Sequence, residues 1–132
     1  MQPAVLSHET QVIGNGPDSV VIRRHISSII GGTTLNMDGF PNDVIRAGHV
    51  AIFDTINNEY KPMPLNQAGT AYDSLPANHV FAGVITKSAL KKEPVVGIMY
   101  AGEVNDEAVP FSVASIKSDM KSALPQLVFM HD

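Results

Sequence analysis

Two apolar stretches, "HVFAGVITK" (79–87) and "PVVGIMYAGEV" (94–104), limit what this chain can become more than anything else in it. Nearly every position in both is apolar, so each reads as a strand buried on both faces. The linker between them, "SALKKE", carries their charge. Gly83, Gly97 and Gly102 fall inside or at the end of these strands. Glycine weakens a strand there, and normally marks a bulge or the close approach of another segment.

The remaining β signals are shorter. Val44-Ile45, "HVAIFD" (49–54) and "NEYKPM" (58–63) are separated by Ala47-Gly48 and Asn57-Asn58. The last two predict a hairpin, because Asn tolerates the left-handed backbone of a tight turn. Pro62 and Pro64 end that ladder, having no N–H to donate. "LNQAGTAYDSLPAN" (65–78) is polar, with Gly69 and Pro76, and reads as a long surface loop.

Towards the N-terminus, "VIGNGPDSVVIRRHISSII" (12–30) is β-rich through Val20, Val21, Ile22, Ile26, Ile29 and Ile30. Gly14, Gly16 and Pro17 punctuate it as a turn. "GGTTLNMDGFPND" (31–43) is loop-like. Residues 1–32 therefore read either as an extended N-terminal arm or as an ordinary hairpin of the same domain, with residues 33–132 forming the compact part.

One helix is expected, "SIKSDMKSAL" (115–124). Ile116, Met120, Ala123 and Leu124 share a face, Ser115 is placed to cap it, and Pro125 stops it. "QLVFM" (126–130) returns as a last strand. The expected class is mainly β: a small β-barrel or sandwich-like domain with one short C-terminal helix and an extended N-terminal arm. No βαβ rhythm calls for parallel pairing.

Composition narrows the chemistry. At 132 residues and 44% hydrophobic, one domain with a real core is within reach. No run of about 20 apolar residues reads as a membrane span, and "MQPAVLSHETQ" lacks the pattern of a secretory signal. A net charge of −4, with Arg23-Arg24 and Lys91-Lys92 the adjacent basic pairs, argues against nucleic acid as a partner. The absence of cysteine removes disulfides, thiolate catalysis and cysteine-bound zinc, and leaves the redox compartment open.

The histidines stand at 8, 25, 49, 79 and 131, with no pair at metal-ligand spacing. Each reads as a satisfied or exposed imidazole. Asp106-Glu107 and Asp38-Gly39 read as solvated turn acids. "IGNGPDS" (13–19) lacks the Lys-Ser/Thr ending of a phosphate loop, and no Gly-x-Ser-x-Gly elbow is present. The residues thus point away from an enzyme, with no catalytic, cofactor or metal residues to nominate, and toward a protein that works by contact.

The order of three segments carries a resemblance. "VIRAGHVAIFDTINNEYKPM" (44–63), "FAGVITKSALKKEPVVGIMYAGEVN" (81–105) and "SIKSDMKSALPQLVFM" (115–130) resemble the Ala-Gly turn and hairpin, the next two core strands, and the terminal helix and closing strand of lambda-type phage head decoration proteins and related head-fibre proteins. The likeness covers roughly residues 31–132. It implies a homotrimer bound to the major capsid protein on the outer surface of the virion, made in the bacterial host cytoplasm, with neither nucleic acid nor membrane as partner. It further implies a capsid-contacting arm, carried over to Val20, Val21, Ile22, Arg23 and Arg24, with Ile29 and Ile30 at its base. The alternative is a head fibre or binding module for a host-surface glycan or receptor, for which the 65–78 loop offers Tyr72 as its aromatic.

Overall fold

The structure, a computed structural model, describes residues 18–131. The turn expected at Gly14, Gly16 and Pro17, His8, and most of the arm expected at 1–32 lie outside the described residues. The chain opens with a single helical turn, α1 (Asp18–Val21), and passes directly into β1 (Ile22–Ser28). Short strands follow: β2 (Thr33–Thr34), β3 (Val44–Ile45), β4 (Val50–Asp54) and β5 (Glu59–Pro62). Then come β6 (His79–Ile85), β7 (Ala89–Leu90), β8 (Val95–Val96), β9 (Ile98–Asn105), α2 (Lys117–Ala123) and β10 (Leu127–Met130).

The main sheet runs β1-β9-β6-β4-β5, with β10 added to β9, and does not close into a barrel. Two small antiparallel ribbons, β2-β8 and β3-β7, accompany it. Alternation along the strands sends side chains to two cores. Val50 and Ile52 enter the first with Met99 and Val104, while Ala51 between them enters the second with Ile98. Helix α2 covers the first core through Met120, with Ile116 just before it; the ribbons cover the second through Val96, Ile45 and Ala89. The sandwich-like, mainly β expectation holds. The doubly apolar strands are buried on both faces over much of their length, because a core lies on each face of the sheet there.

The hairpin of β4 and β5 forms where expected, in register Phe53 opposite Tyr60. Asn58 takes the left-handed conformation, at φ 53°. The turn has a second organiser that the Asn pair concealed. Asp54, 3% exposed, accepts the backbone N–H groups of Ile56 (2.9 Å) and Asn57 (3.1 Å) and the Asn57 side-chain amide (2.9 Å). Gly83 and Gly102, both at φ 149°, lie where a Cβ would run into the backbone carbonyls of Met99 and Arg24. These glycines mark close approach, as the sequence suggested.

Three local expectations are corrected. β10 pairs with β9 in parallel, so β9-α2-β10 is a βαβ crossover; a closing strand of four residues is too short to announce it. Helix α2 is preceded by Ile116 rather than capped by Ser115, and no side chain caps it. Ala123 is exposed, so the buried stripe of that helix is narrower than its spacing implied.

The segment from Asp18 is fastened to the domain. The Ser88 backbone N–H (2.9 Å) and hydroxyl (2.8 Å) donate to the Asp18 carboxylate, and the same hydroxyl accepts the Ala47 N–H (3.0 Å). β1 then pairs antiparallel with β9 from Ile22 opposite Val104 to Ser28 opposite Met99. The described part of residues 1–32 is therefore built around an edge strand of the main sheet and forms no hairpin.

Candidate functional site

The residues assigned to a contacting arm divide among three environments. Val21 is buried in the first core, and Ile22 packs half-buried against it. Ile29 packs against the second core. Arg24 is exposed and lies 4.0 Å from Glu103 across the β1-β9 pair, and Arg23 is half-buried. Val20 is 55% exposed and Ile30 97%. The exposed apolar members, Val20 and Ile30, thus flank an edge strand that is already in place, with Arg24 exposed along it.

That edge is open. β1 hydrogen-bonds to β9 and to no other described strand, and three register shifts interrupt the pairing. Such irregularity makes an edge a poor template for indiscriminate strand addition. The opposite edge is blocked: Leu35 bridges to Tyr60, the Asn36 N–H donates to the Tyr60 carbonyl (2.8 Å), and the Asn36 amide donates to Glu59 (2.9 Å).

Part of one face of the main sheet is uncovered. Leu127 and Phe129 point into the first core, so Val128 and Met130 point the other way. Phe81 and Ile52 likewise face the first core, which puts Val80 and Phe53 on that same outer side. Phe53 stands between Val80 and Tyr60 in the ladder, its ring 4.8 Å from that of Tyr60. Tyr100 shares the side of Ile98, beyond the reach of the ribbons. Val80, Tyr100, Val128 and Met130 are 38–48% exposed. Large side chains gathered on one sheet face in this way mark a contact surface more often than chance placement does. None of them was nominated from the sequence; the alternation that exposes them became legible only once the second core was seen to stop short.

Among the described residues, titratable groups cluster around Asp54 and Asp106, where they hold structure together, and His49 stands apart in the core. Asp54 meets Lys61 (3.2 Å) and His79 (3.8 Å). The Asn57 backbone N–H first, then the Ile56 N–H, the Asn57 amide and Lys61, hold its carboxyl well below the usual range against the cost of burial. Asp106 and Glu107, expected as solvated acids, are bridged by His131, whose Nδ1 lies 2.7 Å from Asp106 and Nε2 3.1 Å from Glu107. Lys117 approaches Asp106 at 3.5 Å. The hydrogen bond from His131 lowers the Asp106 pKa, and the same bond raises that of His131. His49 is buried and hydrogen-bonded through Nε2 to the Met63 carbonyl (3.0 Å), a satisfied core imidazole. Among the described residues, no group of three or more His, Asp or Glu is placed to hold a metal ion.

A cleft of about 630 Å³ lies between residues 36–42 and 61–69, with Asn36, Phe40, Lys61 and His79 among its walls. Tyr72, the aromatic expected on the surface of the 65–78 loop, is not there. It is buried, and its hydroxyl accepts the Val50 N–H (2.9 Å). Its ring is needed as core because Leu65 pairs across to it and His49 and Phe111 pack on it.

No protein family, curated protein or solved structure matches this chain.

Proposed function

We propose that this chain is a structural protein of a phage particle, docking as a homotrimer on the outside of the head against the major capsid protein and stabilising the expanded shell. The exposed side chains of Val80, Tyr100, Val128 and Met130, together with the open edge of β1, carry this reading. Such a surface suits permanent contact, with backbone groups available along the edge and apolar area on the face. The order of the three segments from residue 44 to 130 supplies the choice of a phage head. The Asp54 and Asp106 clusters support it indirectly, because one fixes a turn and the other a chain end. A trimer bridging several capsid subunits needs no chemistry. Once one protomer is seated, the effective concentration of the other two rises, and weak contacts add to a firm attachment.

The glycan-binding alternative loses support from Tyr72, because a buried ring cannot stack on a sugar. In the cleft itself Phe40 is buried as well.

The test is sedimentation of the full chain alone and with expanded heads that lack decoration. A trimer that co-sediments with heads is expected. The triple variant Val80→Lys, Tyr100→Lys, Val128→Lys, altered only at partly exposed positions, is expected to fold and to lose both properties. A wild-type monomer that leaves heads unbound would refute the proposal.

A further inference from the structure

Three loops that are distant in sequence meet on one imidazole. The His49 ring makes edge-to-face contacts with Phe40 (5.4 Å), Tyr72 (5.2 Å) and Phe111 (5.6 Å). Phe40 belongs to the second core, whereas Tyr72 belongs to the first and Phe111 packs against it. His49 therefore occupies the joint between the cores. Its backbone is fixed from both sides, the N–H donating to Arg46 (3.1 Å) and the carbonyl accepting from Ile85 (3.0 Å).

We propose that His49 is an acid-operated latch: protonating its ring parts the loops around Phe40, Tyr72 and Phe111 and loosens the seam between the two cores. With Nε2 donating to the Met63 carbonyl, the neutral ring carries its proton there and leaves Nδ1 as an acceptor. Acid adds a second N–H at Nδ1, whereas the hydrogen bond to the Met63 carbonyl is already made through Nε2. The charge would sit among three aromatic rings at 1% exposure. A small cavity of about 310 Å³ against the ring, bounded also by Asp43 and Arg46, gives a proton a route in.

The charged neighbours do not neutralise the effect. Asp43 and Arg46, of opposite charge, line the same cavity. The Lys91 ammonium is held on the Phe40 carbonyl (2.6 Å). Tyr72 stays neutral, since burial pushes its hydroxyl further up. Burial dominates, lowering the His49 pKa to about 4 although the Met63 hydrogen bond raises it.

The sign follows from linkage. The unfolded chain takes up the proton near pH 6.5 and the folded one only near 4, so stability falls as the pH drops between those values. Each pH unit costs up to tenfold in the folded-to-unfolded ratio, or roughly 300-fold across the window. Other groups act elsewhere. Asp54 and Asp106, held low, lose their contribution only as the pH falls below the ordinary carboxylate value. The contribution of His131, whose pKa is raised, is fully present throughout the window.

The experiment is an NMR titration of the imidazoles of the full chain, with urea unfolding of wild type and His49→Gln from pH 7.5 to 4. The His49 ring is expected to stay neutral in the folded protein to about pH 4.5. Wild-type stability should fall with acid more steeply than that of His49→Gln, and amide exchange should quicken first around Phe40 and Tyr72. A His49 ring that titrates near 6.5 in the folded state, or equal acid sensitivity in the variant, would overturn the proposal. If His49→Gln does not fold, the ring titration decides alone.

Discussion

Tyr72 shows what a single side chain can do in a loop that looks dispensable. Its hydroxyl takes the N–H of Val50 at the start of β4, and its ring closes the first core. Tyr72→Phe keeps the ring and orphans a buried donor, so urea unfolding should show a loss of about 1–3 kcal/mol. Gly83 is intolerant for a different reason. At φ 149°, with the Met99 carbonyl against the missing Cβ, Gly83→Ala combines backbone strain with a collision. A loss of roughly 2 kcal/mol or more is expected, read as a lower thermal midpoint. The two residues were unequally legible. The glycine announced itself by interrupting a β-branched run, whereas the tyrosine stood among polar neighbours and gave no periodicity to read. Asp54 was hidden likewise, its turn credited to the Asn pair that follows it.

At the scale of elements, the strands were legible wherever apolar runs met turn residues, and the pairing of β4 with β5 followed from two extended runs joined by the Asn57-Asn58 pair. The course of β10 did not, because direction in a four-residue strand depends on where α2 leaves the chain and not on its own composition. β10 is held at its end by His131 on Asp106 and Glu107. The His131 pKa is raised, so this contribution is fully present below the unfolded value near 6.5 and is lost as the pH rises through the folded one. Amides of β10 should exchange faster, relative to those of β4, at pH 9 than at pH 6, and His131→Ala should abolish the difference. At the other end, Asp18 anchors α1 and β1 through Ser88. Asp18→Ala should cost about 1–2 kcal/mol, with the loss of protection concentrated in β1.

For the whole molecule, class and rough architecture could be read, while the uncovered part of the sheet face could not. Sequence periodicity tells which residues of a strand face the same way; it does not tell how far the opposing layer extends. The ribbons β2-β8 and β3-β7, of two residues per strand, end before Tyr100 and Val128. Both cores share the strands of one sheet, so the domain should unfold as a unit. A chain ending at Pro125, without β10, is expected to lose its circular dichroism β signal throughout rather than at one end. It uncovers Val104 and Met120, and replaces a paired edge of β9 with bare backbone groups.

β9 takes partners from residues 22–28, 84–85 and 127–130, close to the beginning, middle and end of the described chain. Loops of very different length must therefore close before this strand gains its neighbours, and their entropy is spent before most contacts reward it. Refolding should be slow for the size, in the millisecond-to-second range typical of non-local β topologies, roughly. In that interval the apolar flanks of β9 lie bare, so high concentration during refolding will favour aggregation over native chains.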